Sequence, residues 1–310
     1  MTNLRNLSFA ICTYGGSAKI VTECIESIID EFNNSAEILV VHEADDDQFS
    51  EMKQKISQFP DSIRLIRMSN GVGLSSARNL ALESCSSEWI AFVDDDATIR
   101  DGWSVAFDES ILEFPDSAGF TGPILPLYAG SRKLPQSMEW LVSCNSMIMN
   151  KHPVRNGFGA NMVFNIPKVR ENSISFRKEF GWVQGMSSDS ISGEETIFSS
   201  ELTTSTGSEI MWIPNLSVNH HVPEWRVSLK YVWNRSYKEG KTKAVLSRSV
   251  LSFPLTKEKG HIFRIFFYYL PSELLYLPIR PFSGIWNIIG IFTMLFGTLS
   301  GFFMASLIRK

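Results

Sequence analysis

The chain of 310 residues is 44% hydrophobic and 20% charged, with a formal net charge of −4. This length and composition allow a large hydrophobic core and exclude collagen-like and disordered chains. The mild acidity gives no reason to expect a nucleic-acid-binding protein. The charge is unevenly distributed, because residues 1–100, 101–221 and 222–310 carry −8, −5 and +9. The basic C-terminal segment therefore needs an explanation of its own.

Short apolar runs alternate with helical hydrophobic periods in the first hundred residues. Strands are predicted over residues 7–12, 36–41, 63–68 and 89–93, and helices over 20–32, 49–56 and 74–85. This order predicts an α/β fold with a mostly parallel sheet flanked by helices. Because ligands of such sheets bind outside the carboxyl ends of the strands, the residues that follow each strand are the candidate site residues.

The rest of the chain is less regular. A helix is predicted over 103–114, strands over 159–165 and 209–213, and a further helix begins at Glu194. A basic helix is predicted over 222–250. Four cysteines without a C-x-x-C pair indicate reduced, buried thiols. Residues 1–8 contain no long apolar run of a signal peptide, so we expect the catalytic body in the cytoplasm.

Three carboxylates, Asp94, Asp95 and Asp96, directly follow the fourth predicted strand. They repel one another unless a cation is present, and hard oxygen ligands suit Mg²⁺ or Mn²⁺, which in turn can hold a diphosphate. Alternation along an extended chain turns Asp94 and Asp96 to the same side and Asp95 to the other. A solvated acidic turn or a helix N-cap is the alternative.

Three further motifs bear on the same edge of the sheet. A glycine-containing turn at 70–73 leads into a helix. The N-terminal amides of this segment and the side chain of Arg78 can face an anionic ligand. The alternative for Arg78 is an ion pair at the surface. Glu194 and Glu195 open a helix, where one carboxylate caps the helix and the other can be a general base. His220 or His221 can complete an Asp/His metal site, although a lone histidine is more often a hydrogen-bonded core residue.

These motifs, in this order and near this spacing, resemble those of family 2 glycosyltransferases over residues 7 to about 245. The motifs are 10–14 (AICTY), 38–41 (ILVV), 71–79 (GVGLSSARN), 92–96 (FVDDD), 159–162 (GANM), 193–195 (GEE), 218–223 (VNHHVP) and 235–241 (RSYKEGK). The resemblance implies a GT-A fold, a UDP-, dTDP- or GDP-sugar donor, Mn²⁺ or Mg²⁺, and inversion at the anomeric carbon. It also implies residues 1–100 as the nucleotide-sugar-binding half, 101–221 as the acceptor-binding half, and 222–310 as a basic helix with a hydrophobic extension.

The resemblance also implies roles for individual residues. Glu195 takes the position of the catalytic base, with Glu194 beside it. The donor contacts implied are Thr13, Tyr14, Glu43, Arg78, Asp94 and Asp95, and the metal ligands are Asp94, Asp96 and His220, with His221 as the fallback. Two positions depart from the family pattern. The family usually has Asp where this chain has His42, so the acidic function passes to Glu43, and the base is Glu rather than Asp.

The C-terminal segment contains 28 consecutive uncharged residues between Arg280 and Arg309, more than the roughly 20 that cross a bilayer. Its glycines and serines dilute the hydrophobicity. A spanning helix and an interfacial or re-entrant helix are equally consistent with this composition, and a soluble core helix is the third alternative. The basic stretch before it favours anionic lipid at the cytoplasmic face.

The predicted function is therefore metal-assisted, inverting transfer of a sugar, of the hexosyltransferase kind, to a saccharide or lipid-linked saccharide in cell-surface glycan synthesis. The enzyme is expected at the cytoplasmic face of the membrane, with no nucleic-acid partner. A sugar nucleotidylyltransferase is one alternative, disfavoured because residues 13–17 (TYGGS) contain no arginine. A non-catalytic GT-A-like binding or assembly protein is the other.

Overall fold

The structure of the chain is a computed structural model that describes residues 6–14, 18–69, 71–147, 149–180, 193–248 and 256–307. The chain divides into two compact units. Unit 1 consists of Met1–Leu125 with Ser146–His221, and unit 2 of Pro126–Asn145 with Val222–Lys310.

Unit 1 carries the alternating strands and helices that the sequence predicts. Its elements in chain order are β1 (Leu7–Tyr14), α1 (Ala18–Phe32), β2 (Glu37–Glu43), α2 (Asp46–Ile56), β3 (Ile63–Met68), α3 (Leu74–Ser84), β4 (Trp89–Phe92), β5 (Ala97–Ile99), α4 (Trp103–Glu113), β6 (Gly119–Thr121), β7 (Ile124–Tyr128, which continues into unit 2), β8 (His152–Val154), β9 (Met162–Asn165), α5 (Ile166–Glu171), α6 (Glu194–Thr206), β10 (Ile210–Trp212) and β11 (Val218–Val222).

The main sheet has eight strands in the order β3-β2-β1-β4-β9-β6-β10-β8. The first four strands of that order, β3, β2, β1 and β4, pair parallel, whereas β9 is antiparallel to both of its neighbours. A second sheet has the order β5-β11-β7. The predicted α/β class with a mostly parallel sheet is confirmed, and the carboxyl ends of β1, β2, β3 and β4 lie at one edge.

Alternating side chains of the strands build two cores, one on each face of the sheet. On one face, the ring of Phe9 in β1 lies 5.1 Å from that of Phe32 in α1 and also contacts Trp103 of α4. On the other face, the rings of Phe176 and Phe198 stack at 4.1 Å. Burial of these large rings holds the helices on the sheet and fixes where the strand ends lie.

Unit 2 is mainly helical. Two 3-10 helices span Gln136–Val142 and Glu224–Val227, and a π-helical stretch spans Ile265–Tyr269. The α-helices are α7 (Leu229–Leu246), α8 (Thr256–Arg264), α9 (Leu270–Tyr276) and α10 (Pro281–Leu307).

The helix predicted over 222–250 is too long. Val222 is the last residue of β11, and Pro223 precedes the 3-10 turn. The α-helix begins only after Ser228, whose hydroxyl accepts a hydrogen bond from the Tyr231 amide at 3.3 Å. A serine N-cap of this kind sets the helix start. The predicted boundary was wrong because the prediction did not account for the end of β11, for Pro223 and for the serine N-cap.

Helix α10 is long and apolar enough to cross a membrane by length and composition. It covers 27 of the 28 uncharged residues, and residues 308–310, with the predicted charges at Arg309 and Lys310, lie outside the described residues. The four cysteines carry free thiols, as predicted, with three of them buried and Cys12 half-buried.

Candidate active site

The acidic run and a histidine from a distant part of the chain meet beside β4. Asp94, Asp95 and Asp96 follow this strand after Val93, and β5 begins at Ala97. Strand β11 pairs antiparallel with β5, which places His220 opposite Ala97. The backbone amide of His221 donates to the carbonyl oxygen of Asp96 at 2.8 Å. This pairing brings together residues that are more than 120 positions apart in the sequence.

Three of the predicted metal ligands form one cluster. Asp94, Asp96 and His220 each offer a ligand atom within 4.8 Å of the others, and the Nε2 atom of His220 lies 3.0 Å from Oδ1 of Asp96. Two carboxylate oxygens and one imidazole nitrogen are a donor set that fits Mn²⁺, and Mg²⁺ less closely because of the nitrogen. His221, in contrast, has an exposed side chain.

Asp95 points away from that cluster. Its carboxylate accepts a hydrogen bond from the hydroxyl of Thr13, at the carboxyl end of β1. Burial raises the pKa of Asp95 to about 6, against the effect of the Thr13 hydrogen bond, and Asp96 and Asp94 raise it further. Burial also raises the pKa of Asp94, which Arg78 opposes. The raised pKa values express mainly the cost of burying these carboxylates and secondly their mutual repulsion. A bound cation would relieve both.

Arg78 is a buried cation at the centre of the site. Its Nη1 atom donates to Oε1 of Glu194 at 2.9 Å, and its Nη2 atom lies 3.7 Å from Oδ1 of Asp94. Burial alone would lower the pKa of Arg78, but Glu194, Asp94 and Glu195 together raise it. The guanidinium also lies 5.5 Å from the ring centre of Phe176, a residue that the sequence analysis missed. The guanidinium therefore remains charged and links α3 to α6.

The two glutamates at the start of α6 differ in their surroundings. Glu194 is buried and, besides Arg78, accepts a hydrogen bond from the Gly193 amide at 3.1 Å. Glu195 is half-exposed. Gly193 has a φ of 108°, a left-handed conformation that glycine adopts without strain. Glu194 is thus engaged in the ion pair and the helix start, whereas Glu195 is accessible to solvent.

Glu43 binds the glycine turn that precedes α3. Its carboxylate accepts hydrogen bonds from the amides of Gly71 and Val72 on one oxygen and of Gly73, at 2.9 Å, on the other. These are the amides that the sequence analysis assigned to an anionic ligand, and in this structure the anion they bind is Glu43. The contact of Glu43 with the donor nucleotide stays a prediction.

Two neighbouring positions complete the strand ends. Tyr14 is half-buried at the last position of β1. His42 is buried, and neither of its ring nitrogens has a hydrogen-bond partner among the described residues. Burial lowers the pKa of His42, against the effect of Asp45, so the ring is neutral near pH 7. The position therefore offers no negative charge to a ligand.

Residues 8–113 match the family model described as Glycosyl transferase family 2. Among curated proteins, the chain is 22% identical over 253 residues to a glucosyl-dolichyl phosphate glucuronosyltransferase of Haloferax volcanii, covering 77% of each chain. The matched family segment contains β1 to β4, the acidic run and Arg78.

Solved structures show the same fold. The structure of S. aureus TarS residues 1–349 in complex with UDP-GlcNAc aligns with a TM-score of 0.54 at 15% identity, covering 98% of this chain and 93% of that one. The structure of GalNAc-T7 with UDP, GalNAc and Mn²⁺ aligns with a TM-score of 0.58 at 13% identity, covering 84% of this chain and 54% of that one.

The likeness to these structures shows that the fold is of the GT-A type. Residues 8–113 match glycosyltransferase family 2, and the curated relatives include glycosyltransferases, so the chain is similar to members of that family. The resemblance drawn from the sequence motifs is therefore confirmed.

Proposed function

We propose that this protein transfers a sugar, with inversion, from a nucleotide-diphosphate donor to a hydroxyl of a saccharide or lipid-linked saccharide in cell-surface glycan synthesis. The observation that carries the proposal is the cluster of Asp94, Asp96 and His220 at the carboxyl edge of the sheet, with the solvent-accessible Glu195 at the start of α6. The cluster suits a divalent cation, and Glu195 suits a general base.

The divalent ion, Mn²⁺ or Mg²⁺, would be held by Asp94, Asp96 and His220. When bound, it neutralises the charge of the donor diphosphate and of the leaving nucleotide. Arg78 supports this arrangement from the other side, because its buried guanidinium lies 3.7 Å from Asp94 and offsets part of the negative charge there. Asp95 is held by Thr13 instead and fixes the end of β4 against β1.

Glu195 deprotonates the acceptor hydroxyl in the proposed mechanism. Its carboxylate accepts the proton as the hydroxyl oxygen forms the new bond to the anomeric carbon, and the bond from that carbon to the diphosphate oxygen breaks. Attack opposite the leaving group inverts the configuration. A second, acidic carboxyl of the glycosidase kind is not needed, because a diphosphate leaves without protonation. Glu194 is not the base, because it is paired with Arg78.

The donor is proposed to lie along Thr13, Tyr14, Glu43 and Arg78, as the family positions imply. The complex of TarS with UDP-GlcNAc supports a UDP-sugar, ahead of a dTDP- or GDP-sugar. The relative from Haloferax volcanii, named for transfer of glucuronic acid to a glucosyl-dolichyl phosphate, supports a hexose-type donor and a lipid-linked acceptor. A nucleotide-sugar donor supports action at the cytoplasmic face of the membrane. The free thiols of the chain support the same location, because the cytoplasm keeps thiols reduced.

The test is incubation of the full chain with a panel of nucleotide sugars and either Mn²⁺, Mg²⁺ or a chelator, with release of nucleoside diphosphate as the readout. We expect metal-dependent release with one donor class, lost in Asp96→Ala and retained in Asp116→Asn, an exposed carboxylate outside the site. Consumption or formation of nucleoside triphosphate would instead identify a nucleotidylyltransferase. Metal-dependent binding without turnover, with any acceptor supplied, would identify a binding protein.

A further inference from the structure

Helix α10 exposes a row of large apolar side chains, and its buried residues are four glycines together with Ile291 and Met294. Large apolar side chains recur every three or four residues along one side of α10 and are exposed. We call this set the apolar face: Ile285, Ile289, Phe292, Phe296, Leu299 and Phe303. The opposite side includes the buried Gly290, Gly297 and Gly301. This pattern is the reverse of that of a helix on a water-soluble protein, and an exposed apolar surface of this extent marks an interaction site.

The small residues let α10 lie directly against α7. A Cβ atom built on Gly301 would lie 1.9 Å from the carbonyl oxygen of Tyr237, and one built on Gly240 would lie 2.0 Å from that of Thr298. At the end of the pair, the Arg248 guanidinium donates to the carbonyl oxygens of Ala305 and Ser306 at 3.2 and 3.1 Å. The two helices therefore run side by side along the C-terminal half of α10.

Helix α7 is charged along its whole length. Its 18 residues include five basic side chains and one acidic side chain: Lys230, Arg235, Lys238, Glu239, Lys241 and Lys243. Glu239 pairs with Arg235 at 3.5 Å and with Lys243 at 3.3 Å, which leaves a net positive charge. If α10 crossed the hydrocarbon region upright, α7 would enter it beside α10 and carry these charges with it, an arrangement that bilayers penalise strongly.

We propose that α10 lies in the plane of the membrane surface, with the apolar face inserted at the level of the acyl chains and the basic α7 beside it at the head groups of anionic lipids. Charge complementarity supports this occupant, because residues 222–310 carry a net charge of +9. Interfacial helices combine an apolar face with a basic polar side in this way. The proposal concerns unit 2 alone and stands whether or not the proposed reaction is correct.

The segment before α10 supports the same occupant. Phe267 and Tyr268 in the π-helical stretch and Leu275 in α9 are exposed. Exposed aromatic side chains are typical of the zone between lipid head groups and acyl chains, where a ring meets both apolar and polar surroundings. A second copy of the chain would also cover apolar side chains, but it would bring the same positive charge to the interface.

The first test is sedimentation of the full chain with vesicles of phosphatidylcholine alone or mixed with phosphatidylglycerol. We expect binding to the mixed vesicles that falls with added salt, because head-group attraction is screened. Phe296→Asp should weaken binding by about tenfold or more, since it puts a charge where an apolar ring inserts. Leu112→Asp, at an exposed leucine of α4, should bind like the wild type.

The occupant is tested on the same variants by light scattering without lipid. A monomeric wild type with a vesicle-binding defect in Phe296→Asp supports the lipid surface. If Phe296→Asp binds vesicles as well as the wild type does, the lipid proposal is overturned. If, in addition, the wild type is a dimer and Phe296→Asp is a monomer, the occupant of the apolar face is a second copy of the chain. Circular dichroism of the variant establishes that it is folded in each case.

The second test separates an in-plane helix from a spanning one. Helix α10 is about 40 Å long, enough to cross a bilayer if upright. Cysteines placed by Ser283→Cys and Ser306→Cys, near its two ends, are treated with a membrane-impermeant maleimide on the full chain bound to sealed vesicles, and each labelled position is identified by mass spectrometry. We expect both positions to react before detergent is added. Protection of one position until detergent opens the vesicles would overturn the in-plane arrangement.

Discussion

Arg78 and Glu194 form a buried ion pair in which the guanidinium Nη1 lies 2.9 Å from Oε1, and which joins α3 to α6. Both side chains are almost inaccessible to solvent, and each charge is compensated mainly by the other, with Asp94 at 3.7 Å as a second partner of the guanidinium. A buried pair of this kind adds little net stability, yet the loss of one partner is costly because the other remains charged without compensation.

The pair therefore predicts an asymmetric effect on stability. Arg78→Met should lower the free energy of unfolding by about 3–5 kcal/mol, whereas Arg78→Met combined with Glu194→Met should recover part of that loss, since Asp94 still lacks the guanidinium. Urea unfolding of the single and double variants measures both values. If the double variant is as unstable as the sum of the two single variants, the two charges do not compensate each other.

Substitution of Glu195 should affect turnover, whereas substitution of Glu194 should affect the stability of the fold. Glu195→Gln should reduce turnover by about 100- to 10,000-fold with little change in stability, since the proposed general base is half-exposed and its removal affects the reaction rather than the core. Glu194→Gln should lower the free energy of unfolding, because Arg78 loses its charged partner. Steady-state kinetics with a verified donor and acceptor, beside urea unfolding, checks both. Near-wild-type turnover by Glu195→Gln would rule out its role as base.

Glu43 should act through the glycine turn before α3. Glu43→Gln should cost about 2 kcal/mol of stability, because the amide provides one oxygen acceptor where the carboxylate provides two for the turn amides. The KM for the donor should rise in the same variant if Glu43 also contacts the nucleotide. Glu83→Gln, at an exposed position on α3, is the matched control. An unchanged free energy of unfolding in Glu43→Gln would contradict the role in the turn.

Close packing of α7 on α10 makes their glycines sensitive to a single methyl group. Gly301→Ala should cost about 1–3 kcal/mol, since its Cβ would overlap the backbone carbonyl of Tyr237. Gly260→Ala in α8, with open space around its Cβ position, should be neutral or stabilising by up to about 1 kcal/mol. Thermal unfolding in detergent or on vesicles compares them. Equal effects of the two substitutions would show that the helices do not pack as described.

Local patterns were sufficient to predict the parallel half of the main sheet. The predicted strand over 63–68 has the observed bounds of β3, since apolar periodicity and flanking turns determine a strand locally. The same alternation indicated that Asp94 and Asp96 share one side and Asp95 the other. The helix predicted over 222–250 was too long because the prediction relied on the charge of the whole segment, whereas the turn before α7 holds one acidic and one basic residue, Glu224 and Arg226.

Pairings between distant residues could not be derived from the sequence. A glutamate at the end of β2 has the same sequence pattern whether it contacts a nucleotide or binds the turn amides, and its position alone favoured neither. The partnership of Arg78 with Glu194 spans 116 residues and depends on how α3 and α6 pack on the sheet. His220 was assigned by the family pattern, and the pairing of β11 with β5 gives the physical reason that it reaches the aspartates.

The central claim is that Asp94, Asp96 and His220 hold a divalent cation that fixes the donor diphosphate. Its most direct test is the thermal stability of the full chain with a nucleoside diphosphate, in Mn²⁺ and in a chelator, for the wild type, Asp96→Ala and Asp116→Asn. Because a ligand at 100 times its Kd stabilises the folded state by about 2.7 kcal/mol, the shift is measurable. The wild type and Asp116→Asn should be stabilised only in Mn²⁺, and Asp96→Ala in neither condition. Equal stabilisation in the chelator, or in Asp96→Ala, would contradict the claim.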